Sequence, residues 1–213
     1  MQVVPNNSGA QATVKKVDER ILVVPRSILF KNIDAWNGFK SLDSLADFQA
    51  IVEQHKLFLW RSEVEQDPSY KQIIPYLVFR FQGKYFVMKR RSTASEQRLK
   101  DKYTNGIGGH IRQEDIDDKT LFQWAEREFD EEVCYQGNLT VKPLGLINDD
   151  RDEVGRVHIG FAFLLEGDSD QIAIRAEHKE GYLLTLKECM ALYPSMESWS
   201  QYVLDYLLAT EGE

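Results

Sequence analysis

The chain has 213 residues, 43% of them hydrophobic and 11% aromatic, with a formal net charge of −8. This composition supports a substantial core and excludes wholesale disorder, and the acidic balance argues against nucleic-acid binding, which needs a basic patch. Two cysteines, Cys134 and Cys189, cannot build a disulfide framework and match no zinc-site spacing; both are expected to be small buried hydrophobes.

Residues 1–13 are polar and turn-rich and are expected to form a disordered tail. No apolar leader precedes Lys16 and no run approaches a membrane span, so a cytoplasmic protein without membrane contact is expected. Residues 21–24 read as a buried strand stopped by Pro25, with 27–30 continuing it after a bend. Leu42, Leu45, Phe48, Ile51 and Val52 make a helical stripe over residues 41–55, with Ser41 or Ser44 as cap. Leu57 to Trp60 is a further apolar run, and 61–68 a loop by composition. Residues 1–70 are therefore taken as an N-terminal extension to a domain spanning 71–213.

Residues 73–81 and 85–89 are rich in β-formers and joined across Gln82-Gly83-Lys84, a hairpin in which Gly83 is free to take positive φ. The second strand runs into Lys89-Arg90-Arg91, ahead of the glycine-rich turn Gly106-Ile107-Gly108-Gly109. Beyond it Leu121, Ala125, Phe129 and Val133 recur every four residues, with Phe122 beside them, which predicts a helix with one apolar face. Thr120 and Gln123 fit a capping box that starts it near Leu121, and Asp117 and Asp118 compete as caps.

On that helix Glu128 and Glu132 stack one turn apart, with Glu131 alongside and Arg127 one turn before it. Five acids fall between Glu126 and Glu132. Like charges so spaced cost roughly 0.2–0.5 kcal/mol per pair, and the helix dipole disfavours them near a C-terminus. A solvated acidic face is the bland reading. The preceding strand and glycine turn, which set backbone groups beside the carboxylates, favour a bound cation. Hard oxygen ligands point to Mg²⁺ or Mn²⁺.

Downstream, residues 139–146 and 157–165 read as strands around the mostly acidic segment 148–153, with His158 in a structural role. Gly167-Asp168-Ser169-Asp170 makes a turn before a short strand over 171–175. Thr185 and Glu188 form a second capping box, opening a helix that ends near Tyr193-Pro194. Trp199, Val203, Tyr206 and Leu207 then give an amphipathic helix over 198–209 whose aromatics face the core.

The stretch from Gly109 to Tyr135 resembles a Nudix box, G-x5-E-x7-R-E-U-x-E-E-x-G-U, where U is a bulky aliphatic residue. Gly109 stands at the leading glycine, Asp115 or its neighbour Glu114 at the first glutamate, and Arg127-Glu128-Phe129-Asp130-Glu131-Glu132 at the R-E-U-x-E-E core. The sequence departs from the pattern in two places. Asp115 precedes Arg127 by twelve residues rather than eight, and Cys134 replaces the late glycine.

The resemblance implies an α+β fold, a Nudix-like α/β/α sandwich with a mixed sheet. It implies that Glu128, Glu131 and Glu132, with the Gly108 carbonyl, bind Mg²⁺ or Mn²⁺, that Arg127 orients the glutamates, and that Arg127 and Glu131 belong to the catalytic set. The activity implied is metal-assisted attack of water on a diphosphate linkage in a small phosphorylated substrate, such as a nucleoside diphosphate derivative. Glu177 or Glu180, in the late loop, is implied as general base or additional ligand, and Arg90 or Arg91 as a phosphate contact. Dimers are common among such relatives, so a homodimer is within the expectation. The rival is a Nudix-like module that senses a nucleotide without cleaving it; the three retained core glutamates favour the enzyme. An isoprenoid diphosphate isomerase needs a cysteine facing a glutamate, which the positions of Cys134 and Cys189 do not provide.

Overall fold

The computed structural model describes residues 18–41, 45–90, 101–115, 121–175 and 178–211. Strand β1 (Arg20–Pro25) buries Ile21, Leu22, Val23 and Val24 and ends at Pro25. The chain then forms a helical turn, α1 (Arg26–Leu29), where the sequence suggests more strand. Pro25 is the reason: its extended backbone N-caps the turn, and the Phe30 N–H returns to the Arg26 carbonyl at 3.0 Å.

Strand β2 (Gly38–Ser41) takes in Ser41, so the next helix, α2 (Leu45–His55), opens later than the apolar stripe suggests. Phe48 and Val52 face the core as that spacing requires. Strand β3 (Leu57–Trp60) pairs with β1, and a short helix, α3 (Arg61–Val64), occupies what composition marks as loop, its Val64 buried under β1.

Strand β4 (Tyr70–Phe81) turns into β5 (Lys84–Arg90) through Gln82 and Gly83, both at positive φ, as a two-residue hairpin requires. The short strands β6 (Tyr103–Thr104) and β7 (Ile107–Gly108) flank the glycine turn and lead to helix α4 (Leu121–Glu132). The caps expected at Asp117, Asp118 and Thr120 lie outside the described residues. Phe129 is buried, but Val133 leaves the helix to open β8 (Val133–Tyr135). Then follow β9 (Leu139–Asn148), α5 (Glu153–Val157), β10 (His158–Gly167), β11 (Ile172–Ile174), β12 (His178–Thr185), α6 (Leu186–Leu192) and α7 (Ser198–Glu211). The Thr185–Glu188 capping box forms with both of its hydrogen bonds.

The main sheet runs β12-β5-β4-β10-β9-β2. Strand β10 lies parallel to β4 from His158 opposite Gln72 to Glu166 opposite Arg80, and the β9, β5 and β12 pairings are antiparallel, so the sheet is mixed. Its two faces carry separate cores. Ile73, Leu77, Phe79, Phe86, Phe161 and Phe163 pack with α2 and α4 on one, and Tyr76, Val78, Val87 and Leu164 with α6 and α7 on the other. That α/β/α sandwich is why β4 and β10 read as continuous apolar runs rather than as alternating ones. Residues 18–70 feed the same sheet, β1 pairing with the start of β4 and β2 with β9 at the far edge. Among the described residues no helix is long and apolar enough to cross a membrane.

Cys189 is buried as expected, and burial pushes its thiol up to about 11. Cys134 is exposed: on β8 it alternates outward between the buried Val133 and the part-buried Tyr135, so it is not a core residue.

One polar cluster lies within these layers. Lys71 is fully buried, and its ammonium donates to Asp150 Oδ1 (2.7 Å), the Gly155 carbonyl (2.8 Å) and the His158 carbonyl (3.0 Å), using all three protons. Arg26 grips both oxygens of Asp150, at 3.1 and 2.5 Å, and so ties α1 to the 148–153 segment. Burial pulls Lys71 down to about 8. Burial also works against the Asp150 carboxylate, but Arg26 and Lys71 outweigh it and hold Asp150 at about 2.

Asp150→Asn leaves Lys71 buried without a counter-charge and is expected to cost about 3 kcal/mol in urea unfolding at pH 7. Because the folded-state pKa is depressed, the Asp150 contribution is present above its ordinary 3.8 and is lost as pH falls from there toward about 2. The acid limb of the stability curve should therefore flatten in the variant. An unchanged urea midpoint would count against this account of the cluster.

Candidate active site

The glycine turn is a matter of close approach. A side chain at Gly106 would run into the Tyr76 ring, its Cβ 2.0 Å from Cζ, and one at Gly109 would overlap the Glu128 carboxyl, 2.3 Å from Cδ. Neither residue has positive φ. Glycine is needed here because other groups occupy the space a Cβ would take. Gly108 is held by strand pairing to Tyr76.

Across from the turn, Arg127 is the hub of α4. Its Nε and Nη2 meet the two oxygens of Asp115 at 2.9 and 3.2 Å, Nη1 meets Glu131 at 2.9 Å, and Nη2 meets Glu128 at 2.9 Å and the His110 carbonyl at 3.3 Å. Asp115 also accepts the Arg112 N–H at 2.8 Å. Asp115, in the 3₁₀ turn Gln113–Asp115, is thus the one of the two candidate acids that Arg127 reaches. Glu114 instead lines an open cavity of about 400 Å³ with Asp18, Glu19, Arg20, Trp60 and Gln113.

The three core glutamates differ in environment. Burial pushes Glu128 above its ordinary range and the Glu131 charge adds to this, against the pull of Arg127. Glu131 is half exposed, whereas Glu132 is buried at the last turn of the helix. Among the described residues no three His, Cys, Asp or Glu side chains gather closely enough to surround an ion. The donor chemistry nevertheless fits a hard divalent cation: a cradle that a Cβ would fill, with a backbone turn on one side and a partly desolvated carboxylate on the other.

Glu180 stands on β12 opposite Lys89, exposed, and accepts the Tyr182 hydroxyl. Glu177 and Arg91 lie outside the described residues. The Arg90 guanidinium is paired with Glu197 at the start of α7. His158 is buried: its Nδ1 meets the Val154 carbonyl at 2.6 Å and its Nε2 lies 3.2 Å from His110 Nε2, which also reaches Gln72 at 2.6 Å. Burial pulls its pKa down, in keeping with a structural histidine. Nothing in the sequence singles out His110, and only its position directly after Gly109 could have drawn notice to it.

No family model matches the chain. It is 33% identical over 205 residues to Protein YmaB of Bacillus subtilis (strain 168), across 90% of this chain and 98% of that protein. Its structure superposes on the crystal structure of Tm1382, described as a candidate Nudix hydrolase, with a TM-score of 0.74 and 32% identity over 90% of this chain and 100% of that one. The Nudix domain of Shewanella oneidensis NrtR, solved with ADP ribose, shares the fold alone, with a TM-score of 0.52 and 14% identity over 66% of this chain and 88% of that one. A likeness to Tm1382 that runs the length of both sheet and sequence, joined to an intact Arg127-Glu128 and Glu131-Glu132 core, means that the chain belongs to the Nudix hydrolase superfamily.

Proposed function

We propose that the protein is a metal-dependent hydrolase of a diphosphate linkage in a nucleoside diphosphate derivative or a similar phosphorylated metabolite. The observation that supports this most is the Glu128 carboxylate, pressed against Gly109 and pushed above its ordinary pKa by burial. A desolvated acid beside a second acid is a costly arrangement that a divalent cation relieves.

Glu128, Glu131 and Glu132, with the Gly108 carbonyl, would hold Mg²⁺ or Mn²⁺. Such an ion, when bound, neutralises the diphosphate and lowers the pKa of a water. Arg127 keeps α4 joined to Asp115, and a cation competes with it for Glu128 and Glu131. Glu131, half exposed, is open to a water and able to accept its proton; Glu180 and Glu177 remain the candidates for a base from the late segment. Arg90, now paired with Glu197, and Arg91 are the cations proposed for substrate phosphate. The working form is proposed to be a cytoplasmic homodimer.

The test is product release from nucleotide sugars, dinucleoside polyphosphates, ADP-ribose and nucleoside triphosphates with Mg²⁺ or Mn²⁺. Glu132→Gln, which removes a ligand charge and keeps shape, should lower turnover at least about 100-fold. Activity that survives it rules out Glu132 as a ligand. Metal-independent binding of one compound without turnover supports a sensing module instead.

Saturating Mn²⁺, at about 100 times its Kd, should stabilise the wild type by about 2.7 kcal/mol and Glu128→Gln hardly at all, as read by thermal melting. Asp115→Asn should cost about 1–3 kcal/mol by stripping Arg127 of its bidentate partner, and Glu114→Gln less than about 0.5 kcal/mol. Equal effects would remove Asp115 from the box.

A further inference from the structure

We infer that the C-terminal helix α7 positions the glycine turn: Ser200, through a chain of buried hydroxyls, sets the backbone of residues 105–108 and with it the affinity of the box for its cation. This inference rests on the metal-binding reading above.

Ser200 lies in the first turn of α7 and is fully buried. Its Oγ is 2.8 Å from the Tyr76 hydroxyl, 3.1 Å from the Asn105 amide nitrogen and 3.2 Å from Thr104 Oγ1. Its carbonyl accepts from Asn105 Nδ2 at 3.2 Å.

An amide N–H can only donate, so Ser200 Oγ accepts from Asn105. Ser200 then gives its own proton to Thr104 Oγ1, and Thr104 passes its proton to the Gly106 carbonyl at 3.0 Å while taking the Gly106 N–H at 3.3 Å. The Tyr76 proton is left for Ser200 Oγ or for Asn105 Oδ1 at 3.2 Å. Every hydroxyl in the chain is used, and the chain ends on the backbone of the turn.

Tyr76 closes the arrangement from the other side. Its ring fills the space a Cβ on Gly106 would take, and its backbone pairs with Gly108. The two residues ahead of α7 add further ties: the Glu197 N–H reaches the Tyr103 carbonyl at 3.0 Å, Met196 bridges to Tyr103, and Glu197 holds Arg90. Tyr76, Thr104, Asn105 and Ser200 are all buried, so water is not at hand to replace a lost partner. Loss of the Ser200 hydroxyl strips the Asn105 N–H of its acceptor and Thr104 of a donor, at the entry to the glycine turn. Outer partners of this kind typically change metal affinity by 10- to 100-fold.

Mn²⁺ titration of the full chain, well below its melting temperature, tests this with Ser200→Ala, Tyr76→Phe and Val203→Ala. Val203 is fully buried in the apolar core of the same helix and has no part in the hydroxyl chain, so its variant controls for simple loss of stability. Ser200→Ala should weaken Mn²⁺ binding about 10- to 100-fold, Tyr76→Phe should move it the same way, and Val203→Ala should melt lower yet keep wild-type affinity. Unchanged affinity in both hydroxyl variants, or an equal loss in Val203→Ala, overturns the inference. If the wild type binds no Mn²⁺, the metal reading fails by itself, and amide exchange over residues 105–109 then decides about α7. Faster exchange in Ser200→Ala than in Val203→Ala keeps the positioning role; equal exchange removes it.

Discussion

The backbone of β4 has to be hydrogen-bonded on both edges while both its faces are buried, and most of the architecture follows from how that is met. On one edge β10 runs beside it for nine residue pairs. On the other edge no single strand serves. Strand β1 covers Tyr70 to Gln72, β7 covers Tyr76 and Leu77, and β5 covers Arg80 and Phe81. A buried N–H or carbonyl left without a partner is costly, so three distant pieces of chain are drawn to one strand. The middle piece is the glycine turn. The glycine turn therefore sits where the sheet itself needs a partner.

Two of the charge hubs in the molecule have different consequences. Lys71 and Arg26 are both answered by Asp150, and Lys71 spends its other protons on backbone carbonyls. Arg127 faces Asp115, Glu128 and Glu131 together. Three carboxylates thus share that guanidinium, in surroundings where Glu128 is already desolvated. The first hub stabilises the fold. The second draws the acids of the box to one helix, the perturbed arrangement on which the proposed function rests.

Backbone approach joins these two themes. Gly106 and Gly109 carry ordinary φ values, yet neither tolerates a Cβ, because an aromatic ring and a carboxylate stand where it would go. The motif's glycines thus record tertiary distances in residues that look, locally, like turn formers. Ser200 and Tyr76, far away in sequence, hold the same turn from the opposite face of the sheet.

The features that the sequence by itself determined are those set by neighbours within about four residues. The buried Phe129 face of α4, the Gln82-Gly83 hairpin and the Thr185–Glu188 capping box depend on contacts at short chain separation, and all are legible. The core of the candidate site was legible for the same reason, since Arg127 and Glu131 meet one turn apart on a single helix. Tertiary structure alone decided what depends on partners far along the chain. It chose Asp115 over Glu114 by giving one of them Arg127, and it turned residues 26–29 into a helix with Arg26 on Asp150, 124 positions away. It exposed Cys134 on a strand whose partner is β11, and it buried Ser200 against Tyr76, again 124 positions away. Local propensity sees none of these, because the energy that selects them comes from burial and hydrogen bonds that exist only once the sheet has closed.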